Sequence, residues 1–183
     1  QKPGFVGIPA GPEVCIMDTN NKILNQGEEG EVCIRGENVT SGYENNPDAN
    51  KNSFSNGWFR TGDQGYFDKD GYLKISGRLK EIINKGGEKI SPLEVDNILM
   101  DHPNIEQAVC FGYEDKMLGE DIATAIIIKE GMKCTEDDIK MYANEKLAKF
   151  KIPKKIFFVN EIPKGATGKL QRNTLAKKFG LVN

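Results

Sequence analysis

The hydrophobic pattern of this 183-residue chain changes near residues 77–80. Before that point, short runs such as Glu13–Met17, Gly30–Arg35 and Tyr72–Ser76 are separated by clusters of turn-forming residues, which is typical of β-strands joined by tight turns. After it, segments with helical spacing alternate with apolar, β-branched runs. The sequence therefore predicts a small β-rich unit followed by an α+β unit.

Three helices are predicted in the second unit. Ser91–Glu94 combines a capping serine, a proline at the first helical position and a glutamate that closes a capping box, so a helix should run from there to about Met100. A second helix should start near Thr135, because three acidic residues follow it and favour the positive end of a helix. A last helix is predicted over Leu170–Phe179.

Three strands are predicted between and after these helices. The run Ile122–Lys129 is almost continuously apolar and β-branched, which indicates a strand buried on both faces. Gln107–Gly112 and Ile156–Asn160 are predicted as its companions. Together with the helices, these strands give a compact domain in which helices flank a short sheet.

The four cysteines show no paired spacing. Cys15, Cys33 and Cys110 lie inside apolar, strand-like runs, where a thiol behaves as a small hydrophobic group. We therefore expect buried thiols rather than a metal site or disulfides. The position of Cys134 in the sequence does not alter this expectation. The chain has no apolar run near the roughly 18 residues of a membrane span and no charged-then-apolar leader. A reducing, cytoplasmic setting is expected.

Basic residues are concentrated in one segment. Residues 146–178 hold ten Lys or Arg and a single acid, Glu161. Such a patch can attract nucleic acid, membrane phosphates or a nucleotide, or it can simply be a solvated face. Its aromatic residues have spacings that suit a buried strand and helix better than an exposed stacking platform: Phe150, Phe157, Phe158 and Phe179. Small phosphate-bearing molecules are therefore favoured over nucleic acid.

Three short stretches contain the most specific chemistry. They are GWFRTGD (Gly57–Asp63), ISGRLKEIINKGGEKISP (Ile75–Pro92) and PKGATGKLQR (Pro163–Arg172). Taken singly, each also has an ordinary explanation: a turn aspartate at Asp63, and exposed turns with solvated lysines in the other two. The third stretch is not a phosphate loop of the nucleotide-triphosphatase kind, because that loop begins with glycine and has a hydroxyl residue after its lysine.

The glycines and lysines of these stretches still indicate which functions the stretches could have. Gly86 and Gly87 allow backbone conformations closed to other residues and a close approach of a ligand to the main chain. Lys80 lies just before them in a segment that can pivot. Lys169, on a glycine-flanked loop, can bring a compact positive charge to a carboxylate or phosphate oxygen. One carboxylate, such as that of Asp63, can accept hydrogen bonds from two neighbouring ribose hydroxyls.

Taken together and in this order, the three stretches resemble the closing motifs of adenylate-forming enzymes. That family includes acyl-CoA synthetases, firefly-type luciferases and the adenylation domains of peptide synthetases. The opening Lys2–Gly7 and the later Gly42, Tyr43 and Pro47 also match family features, so the resemblance covers essentially the whole chain. It implies that the β-rich unit is a barrel-like subdomain.

The resemblance assigns roles to single residues around the nucleotide. Asp63 matches the carboxylate that holds the ribose of ATP. Arg78 matches an arginine that contacts the ribose and phosphate. Lys169 matches the mobile lysine of the adenylation step.

The resemblance also implies a moving domain. Residues 1–79 would end the large N-terminal domain, and residues 80–183 would form a C-terminal domain that rotates about Lys80 between making the acyl-adenylate and making the thioester. Gly87, with Gly86 beside it, matches a glycine that borders the pantetheine tunnel of CoA-using members. Asn84 stands where luciferases and plant coumarate ligases commonly carry lysine, so we assign it no role in the second step.

The implied function is that of an ATP-dependent carboxylate:CoA ligase. A carboxylate and MgATP would give acyl-AMP and pyrophosphate, and the thiol of CoA would then displace AMP. ATP and Mg²⁺ would be bound mainly by upstream motifs that this chain lacks, so we expect no metal site here, an inactive isolated chain and contact with the N-terminal domain. The wording of Gly86–Asp96 and Val6–Val14 is most similar to the oxalate-CoA ligase branch.

Two alternatives remain open. An adenylation enzyme of the luciferase or carrier-loading type would share all three motifs, although no carrier domain with a phosphopantetheine serine is found. A non-catalytic module that binds a nucleotide or CoA is the alternative from another class. A peroxisomal location is the alternative to the cytoplasm, but Gly180–Asn183 is not a serine-lysine-leucine address.

Two further features are given structural explanations. Asp68–Gly71 lacks the further acidic ligands of a calcium loop, so a hairpin turn is predicted. His102, the single histidine, precedes Pro103 and is expected to cap a helix end. Histidine-dependent hydrolysis and histidine-rich metal sites are therefore disfavoured.

Overall fold

The computed structural model describes residues 2–165, 168 and 170–181. The chain divides into two compact units, Gln1–Lys80 and Glu81–Asn183, and each is described by itself. The sequence placed this boundary between residues 79 and 80. Rotation about Lys80 stays a prediction.

The first unit is an antiparallel five-stranded sheet with one short helix. Its elements are β1 (Glu13–Met17), β2 (Gly30–Arg35), α1 (Pro47–Ser53), β3 (Phe54–Ser55), β4 (Trp58–Phe67) and β5 (Leu73–Arg78). The strand order is β1-β2-β4-β3, and β5 pairs with β4. The predicted bounds of β1 and β2 are confirmed, whereas β5 begins one residue later and ends two residues later than predicted.

The β4–β5 connection is the hairpin turn that the sequence predicts. The Asp68 carboxylate accepts hydrogen bonds from the backbone N–H groups of Asp70 and Tyr72, both at 2.9 Å. Gly71 has a φ of +80°, a conformation that favours glycine. The acidic residues here therefore stabilise a turn.

Side chains of the first sheet alternate between its two faces, because the side-chain period of a strand is two. Cys15, Met17, Cys33 and Trp58 form one buried cluster. Ile16, Val32 and Leu73 form the other, with partly buried neighbours. The unit thus has two small cores.

The second unit is a five-stranded sheet between helices. Its elements are β6 (Ile83–Lys85), β7 (Glu88–Ile90), α2 (Pro92–Met100), β8 (Ile105–Asp115), β9 (Gly119–Ile128), α3 (Glu136–Lys146), β10 (Lys155–Phe158) and α4 (Leu175–Lys178). The strand order is β10-β9-β6-β7, and β8 pairs with β9. Only the β9–β10 pair is parallel among these.

Strand β9 separates two cores, as its apolar sequence predicts. Ile122 and Ile126 face a cluster that includes residues of α2 and α3. Ala123 and Ala125 face a second cluster, which includes Leu175 of α4. Helices therefore cover both faces of the sheet, and the predicted α+β class with helices flanking a short sheet is confirmed.

Helix ends match the sequence expectations in part. Thr135 and Asp138 form a capping box at the start of α3, with the Thr135 hydroxyl accepting from the Asp138 N–H at 3.2 Å. Helix α2 has the predicted bounds, but the Ser91 side chain makes no capping hydrogen bond to it, so the predicted capping box is wrong.

The predicted helix over Leu170–Phe179 is wrong in length. Leu170 forms a β-bridge with Lys164, which places it in extended structure. A 3-10 turn follows at Arg172–Thr174, and α4 has only four residues. Strand β10 ends two residues before the predicted Asn160.

The His102 side chain stabilises the turn after α2, while its backbone N–H donates to the Leu99 carbonyl in the last turn of that helix at 3.1 Å. Its Nδ1 accepts a hydrogen bond from the Asn104 N–H at 3.2 Å, and its ring packs edge-on against Tyr142. Asp101 is the C-cap of α2. The described helices include none that is long and apolar enough to cross a membrane.

The aromatic residues of the basic segment divide into two groups. Phe157 and Phe179 stack on each other with ring centroids 4.7 Å apart, as expected for packed side chains. The Phe150 and Phe158 side chains are exposed to solvent, whereas the sequence predicted that they would be buried. They lie on separate elements, a 3-10 turn and β10.

Candidate functional site

Asp63 and Arg78 are opposite each other on β4 and β5. The Arg78 Nε lies 2.7 Å from the Asp63 Oδ1, with the Asp63 side chain 28% exposed and that of Arg78 53% exposed. This nearest contact involves one nitrogen of a guanidinium that has five N–H donors. Donor and acceptor capacity therefore remains on both side chains for a ligand.

Asp63 lies in a bulge of β4 rather than in the turn expected from the sequence. Thr61, Gly62 and Asp63 together face the single residue Val32 of β2, because the register passes from Cys33–Arg60 to Glu31–Gln64. Such bulges redirect a side chain from the regular face of a sheet. Gly62 has a φ of +74°, so a side chain at this position would strain the backbone.

Hydrogen bonds fix the bulge from both sides. The Thr61 hydroxyl donates to the Val32 carbonyl at 2.8 Å and accepts from the Asp63 N–H at 3.0 Å. The Glu31 carboxylate accepts from the Gly62 N–H at 2.9 Å. Glu31 is itself held by Arg60, whose Nε donates to it at 2.7 Å. The Asp63 backbone is therefore preorganised before any ligand binds.

A surface cleft of about 270 Å³ opens beside this bulge in the first unit. Tyr43 and Phe59 give it apolar walls, and Lys80 brings a positive charge to it. Arg60 and Arg78 also line it, paired with the Glu31 and Asp63 carboxylates. Pockets that enclose drug-sized ligands measure about 300–1,000 Å³. The cleft is therefore suited to part of an anionic ligand, such as a sugar phosphate.

Lys80 lies in a 3-10 turn, Leu79–Glu81, and is exposed. It is the last residue of the first compact unit. Its role as a hinge stays a prediction.

Gly86 and Gly87 form the two-residue turn between β6 and β7. Their φ angles are +60° and +94°, which suits the type I′ hairpin turn that needs positive φ at both positions. Both residues are exposed, so a ligand can approach their backbone. Asn84 is exposed on β6, and its N–H donates to the Glu120 carboxylate at 2.6 Å.

Lys169 lies outside the described residues, and its predicted role in adenylation stays a prediction. The described residues around it are anchored. Lys164 and Leu170 form a bridge, and Ile162 and Leu175 on either side are fully buried. On both sides of Lys169 in sequence, the chain is therefore attached to the core of the second unit.

Arg172 is the anchor with the most polar contacts. Its Nη1 donates to the Asp96 carboxylate at 2.8 Å and to the Cys110 carbonyl at 2.7 Å. Its Nε donates to the Glu81 carboxylate at 3.0 Å. One buried guanidinium thus joins α2, β8 and the first residue of the second unit.

Burial raises the pKa of the Asp96 carboxyl above its ordinary value, and the Arg172 charge opposes that rise. Asp96 is only 4% exposed. The charged form of a buried carboxylate is costly without a partner. The charged form of the Asp96 carboxyl therefore depends on the neighbouring Arg172 charge.

The thiols are unsuited to chemistry. Burial raises the pKa of Cys33 to about 12 and raises those of Cys15 and Cys110. All four cysteines are free, and Cys134 is half-buried. Across the described ranges, no group of three or more His, Cys, Asp or Glu side chains could hold a metal ion.

Comparison with protein families identifies the fold. Residues 94–169 match the AMP-binding enzyme C-terminal domain. The chain is 53% identical over 178 residues to oxalate–CoA ligase of Arabidopsis thaliana, covering 97% of this chain and 35% of that protein. It is 52% identical over 181 residues to oxalate–CoA ligase of Saccharomyces cerevisiae, covering 98% and 33%.

Solved structures agree with this result. The o-succinylbenzoate CoA synthetase of Bacillus subtilis, in complex with its acyl-adenylate intermediate, superposes with a TM-score of 0.88 at 36% identity, over 95% of this chain and 36% of that one. The same enzyme with ATP and magnesium gives 0.85 at 37% identity, over 95% and 36%.

The chain therefore belongs to the adenylate-forming superfamily and corresponds to its C-terminal portion. Within the superfamily, three relatives that are more than 50% identical to it bear the names of CoA ligases. The chain spans about a third of the length of the curated relatives that it matches.

The sequence pointed to Asp63, Arg78 and Lys80 as site residues. It did not indicate the residues that hold the surrounding structure in place. Arg172 ends the third motif, but nothing in the local sequence indicates its buried contacts. Glu31 gave no local signal, because its partners are 29 and 31 positions away. Contacts at such separations depend on the folded sheet.

Proposed function

We propose that the protein containing this chain is an ATP-dependent carboxylate:CoA ligase that works through an acyl-AMP intermediate. The observation that carries the proposal is the identity of more than half of the aligned residues to two oxalate–CoA ligases along nearly the whole chain. Oxalate is accordingly the first acid to test. Substrate carboxylate, ATP and CoA are the proposed partners.

In this proposal Asp63 holds the ribose and Arg78 reaches the ribose and phosphate. The preorganised bulge supports the role of Asp63, because a carboxylate that is already oriented loses little conformational freedom on binding. The positive charge in the neighbouring cleft supports the binding of a phosphate group. Most of the ATP and Mg²⁺ contacts are assigned to the region of the protein outside this chain.

Lys169 is proposed to stabilise the adenylation transition state, where a positive charge near the reacting phosphate lowers the barrier. Rotation about Lys80 would then replace the Lys169 loop with the Gly86–Gly87 turn, which would border the pantetheine arm of CoA. The exposed position of this turn supports that role. The CoA thiol attacks the acyl carbon, and AMP leaves.

The test is an assay of the full-length gene product with a panel of carboxylates that includes oxalate. Pyrophosphate release, AMP and thioester are followed with and without CoA. We expect thioester formation that requires both ATP and CoA. Adenylation without transfer to CoA would favour a luciferase-like or carrier-loading enzyme, and no adenylation with any acid would favour a binding module.

A further inference from the structure

The Gly86–Gly87 turn has few backbone contacts with the rest of its sheet. In the part of the chain that the structure describes, β6 pairs with β9 at one position, Lys85 opposite Gly119. A two-stranded hairpin is marginally stable by itself. Ile83 and Ile90, at the ends of β6 and β7 away from the turn, are buried in the core. The position of the turn itself therefore depends on additional contacts.

Three contacts from the β8–β9 hairpin hold the turn. The Gly86 N–H donates to the Leu118 carbonyl at 2.7 Å. The Asn84 N–H donates to the Glu120 carboxylate at 2.6 Å. The Lys85 ammonium lies 2.5 Å from the Asp121 Oδ1, and this is the only one of the three contacts made between two side chains.

The Lys85–Asp121 pair is sheltered from water. Asp121 is 1% exposed, and the Lys85 side chain is 14% exposed. The Ile122 N–H also donates to the Asp121 carboxylate, at 2.8 Å. Lys154 approaches its other oxygen at 3.4 Å, but Lys154 is more than half exposed and also pairs with Asp115.

Loss of one partner from a buried pair is costly, because the remaining charge is desolvated. Without Lys85, the Asp121 carboxylate would keep only the more distant and exposed Lys154 as a cationic neighbour among the described residues. Lys85 is therefore expected to remain paired with Asp121. The residue before the glycine pair is thereby fixed to the start of the apolar part of β9.

We propose that Lys85 and Asp121 are positioning residues for the thioester-forming step: their ion pair holds the Gly86–Gly87 turn where it borders the pantetheine arm. This inference rests on the proposed function of the turn. Lys85 does not contact the substrates in this role. Its ammonium is occupied by Asp121.

The test compares Lys85→Met and Lys85→Arg in the full-length enzyme. For Lys85→Met we expect thioester formation from supplied acyl-AMP to fall about 10- to 100-fold, since a displacement of about 1 Å can have effects of this size. ATP-dependent pyrophosphate release without CoA should be unchanged. Lys85→Arg should restore most of the second-step rate, because it keeps the charge.

A double-mutant cycle identifies the partner. Asp121→Asn should reduce the same step, and Lys85→Met with Asp121→Asn should be less harmful than the sum of the two single changes, because both remove one interaction. Lys140→Met is the matched control, since it removes an exposed ion pair with Glu136 in the same unit. It should leave both half-reactions unchanged.

An equal loss in both half-reactions would overturn the proposal, as would an unchanged second step. Amide hydrogen exchange of Gly86 gives a second readout that needs no activity. Faster exchange in Lys85→Met than in Lys140→Met is expected, and equal exchange would also overturn the proposal. If the wild-type enzyme forms no thioester, the proposed function fails, and the exchange experiment still decides whether Lys85 holds the turn.

Discussion

The Asp63 carboxylate shows how a single residue acquires its setting from distant ones. Thr61 and Gly62 shape the bulge locally, but Glu31 fixes it from another strand. The Glu31 carboxylate joins the Gly62 N–H to the Arg60 guanidinium. At this scale, the orientation of a side chain depends on its charged and hydrogen-bonding neighbours. The type of residue alone does not determine it.

Lys169 gives the prediction that belongs to this scale. In the full-length enzyme, Lys169→Ala should suppress adenylation severely, because it removes the charge proposed to stabilise the transition state. Thioester formation from supplied acyl-AMP should be spared. The measurement is single-turnover kinetics of each half-reaction. Equal losses in both half-reactions would contradict the assigned role.

Among the elements, helix α3 is encoded locally. The capping box of Thr135 and Asp138 marks the start of α3 in sequence and in structure. The hydrogen bond from Thr135 lowers the pKa of the Asp138 carboxyl. The contribution of Asp138 is therefore present above the unfolded pKa and is lost as the pH falls through the lower folded pKa.

Thr135→Ala should destabilise the second unit by about 1 kcal/mol, within the range of about 0.5–2 kcal/mol for loss of an N-cap. The Asp138 N–H would lose its acceptor. Urea denaturation followed by far-ultraviolet circular dichroism measures the change. Thr135→Ser keeps the hydroxyl and should remain close to wild type, so an equal loss in both variants would exclude capping as the cause.

At the scale of the whole molecule, Arg172 joins parts of the chain that are far apart in sequence. Its three side-chain and backbone acceptors belong to residues 62 to 91 positions away. Because Asp96 and Cys110 lie in the core, the contact links the helix α2, the strand β8 and the start of the second unit. The stability of this unit therefore depends on one polar network.

Arg172→Met should destabilise the second unit by about 3–5 kcal/mol at neutral pH, because the buried Asp96 carboxylate would keep the hydrogen bond from the Cys110 N–H but lose the Arg172 charge that offsets its desolvation. The loss should shrink as the pH falls. A carboxyl with a raised folded pKa contributes stability below its unfolded pKa and loses it as the pH rises through the folded value. Circular dichroism melts at several pH values measure this.

Lys140→Met is the control for Arg172→Met, since it removes an exposed pair with Glu136 that should contribute at most about 1 kcal/mol. Trp58, the single tryptophan, is buried in the first unit. Its fluorescence therefore reports whether the first unit stays folded. A pH-independent loss would show that Asp96 is not responsible.

The hinge prediction also belongs to this scale. Lys80→Pro in the full-length enzyme should slow thioester formation from acyl-AMP much more than adenylation, because proline fixes φ and restricts the residue before it. Lys80→Ala keeps the backbone free and should retain the second step. Rapid-quench measurement of thioester compares them. Unchanged second-step kinetics in Lys80→Pro would refute the hinge.

The sequence by itself determined the strands β1 and β2, the start of α3, the burial of β9 and the α+β class, because periodicity and capping are local properties. Its motifs also identified the superfamily. Tertiary structure decided the bulge at Asp63, the short α4 and the ion pairs of Lys85 and Arg172. These depend on which strands meet and on which charges are removed from water, and neither is encoded within a single stretch of sequence.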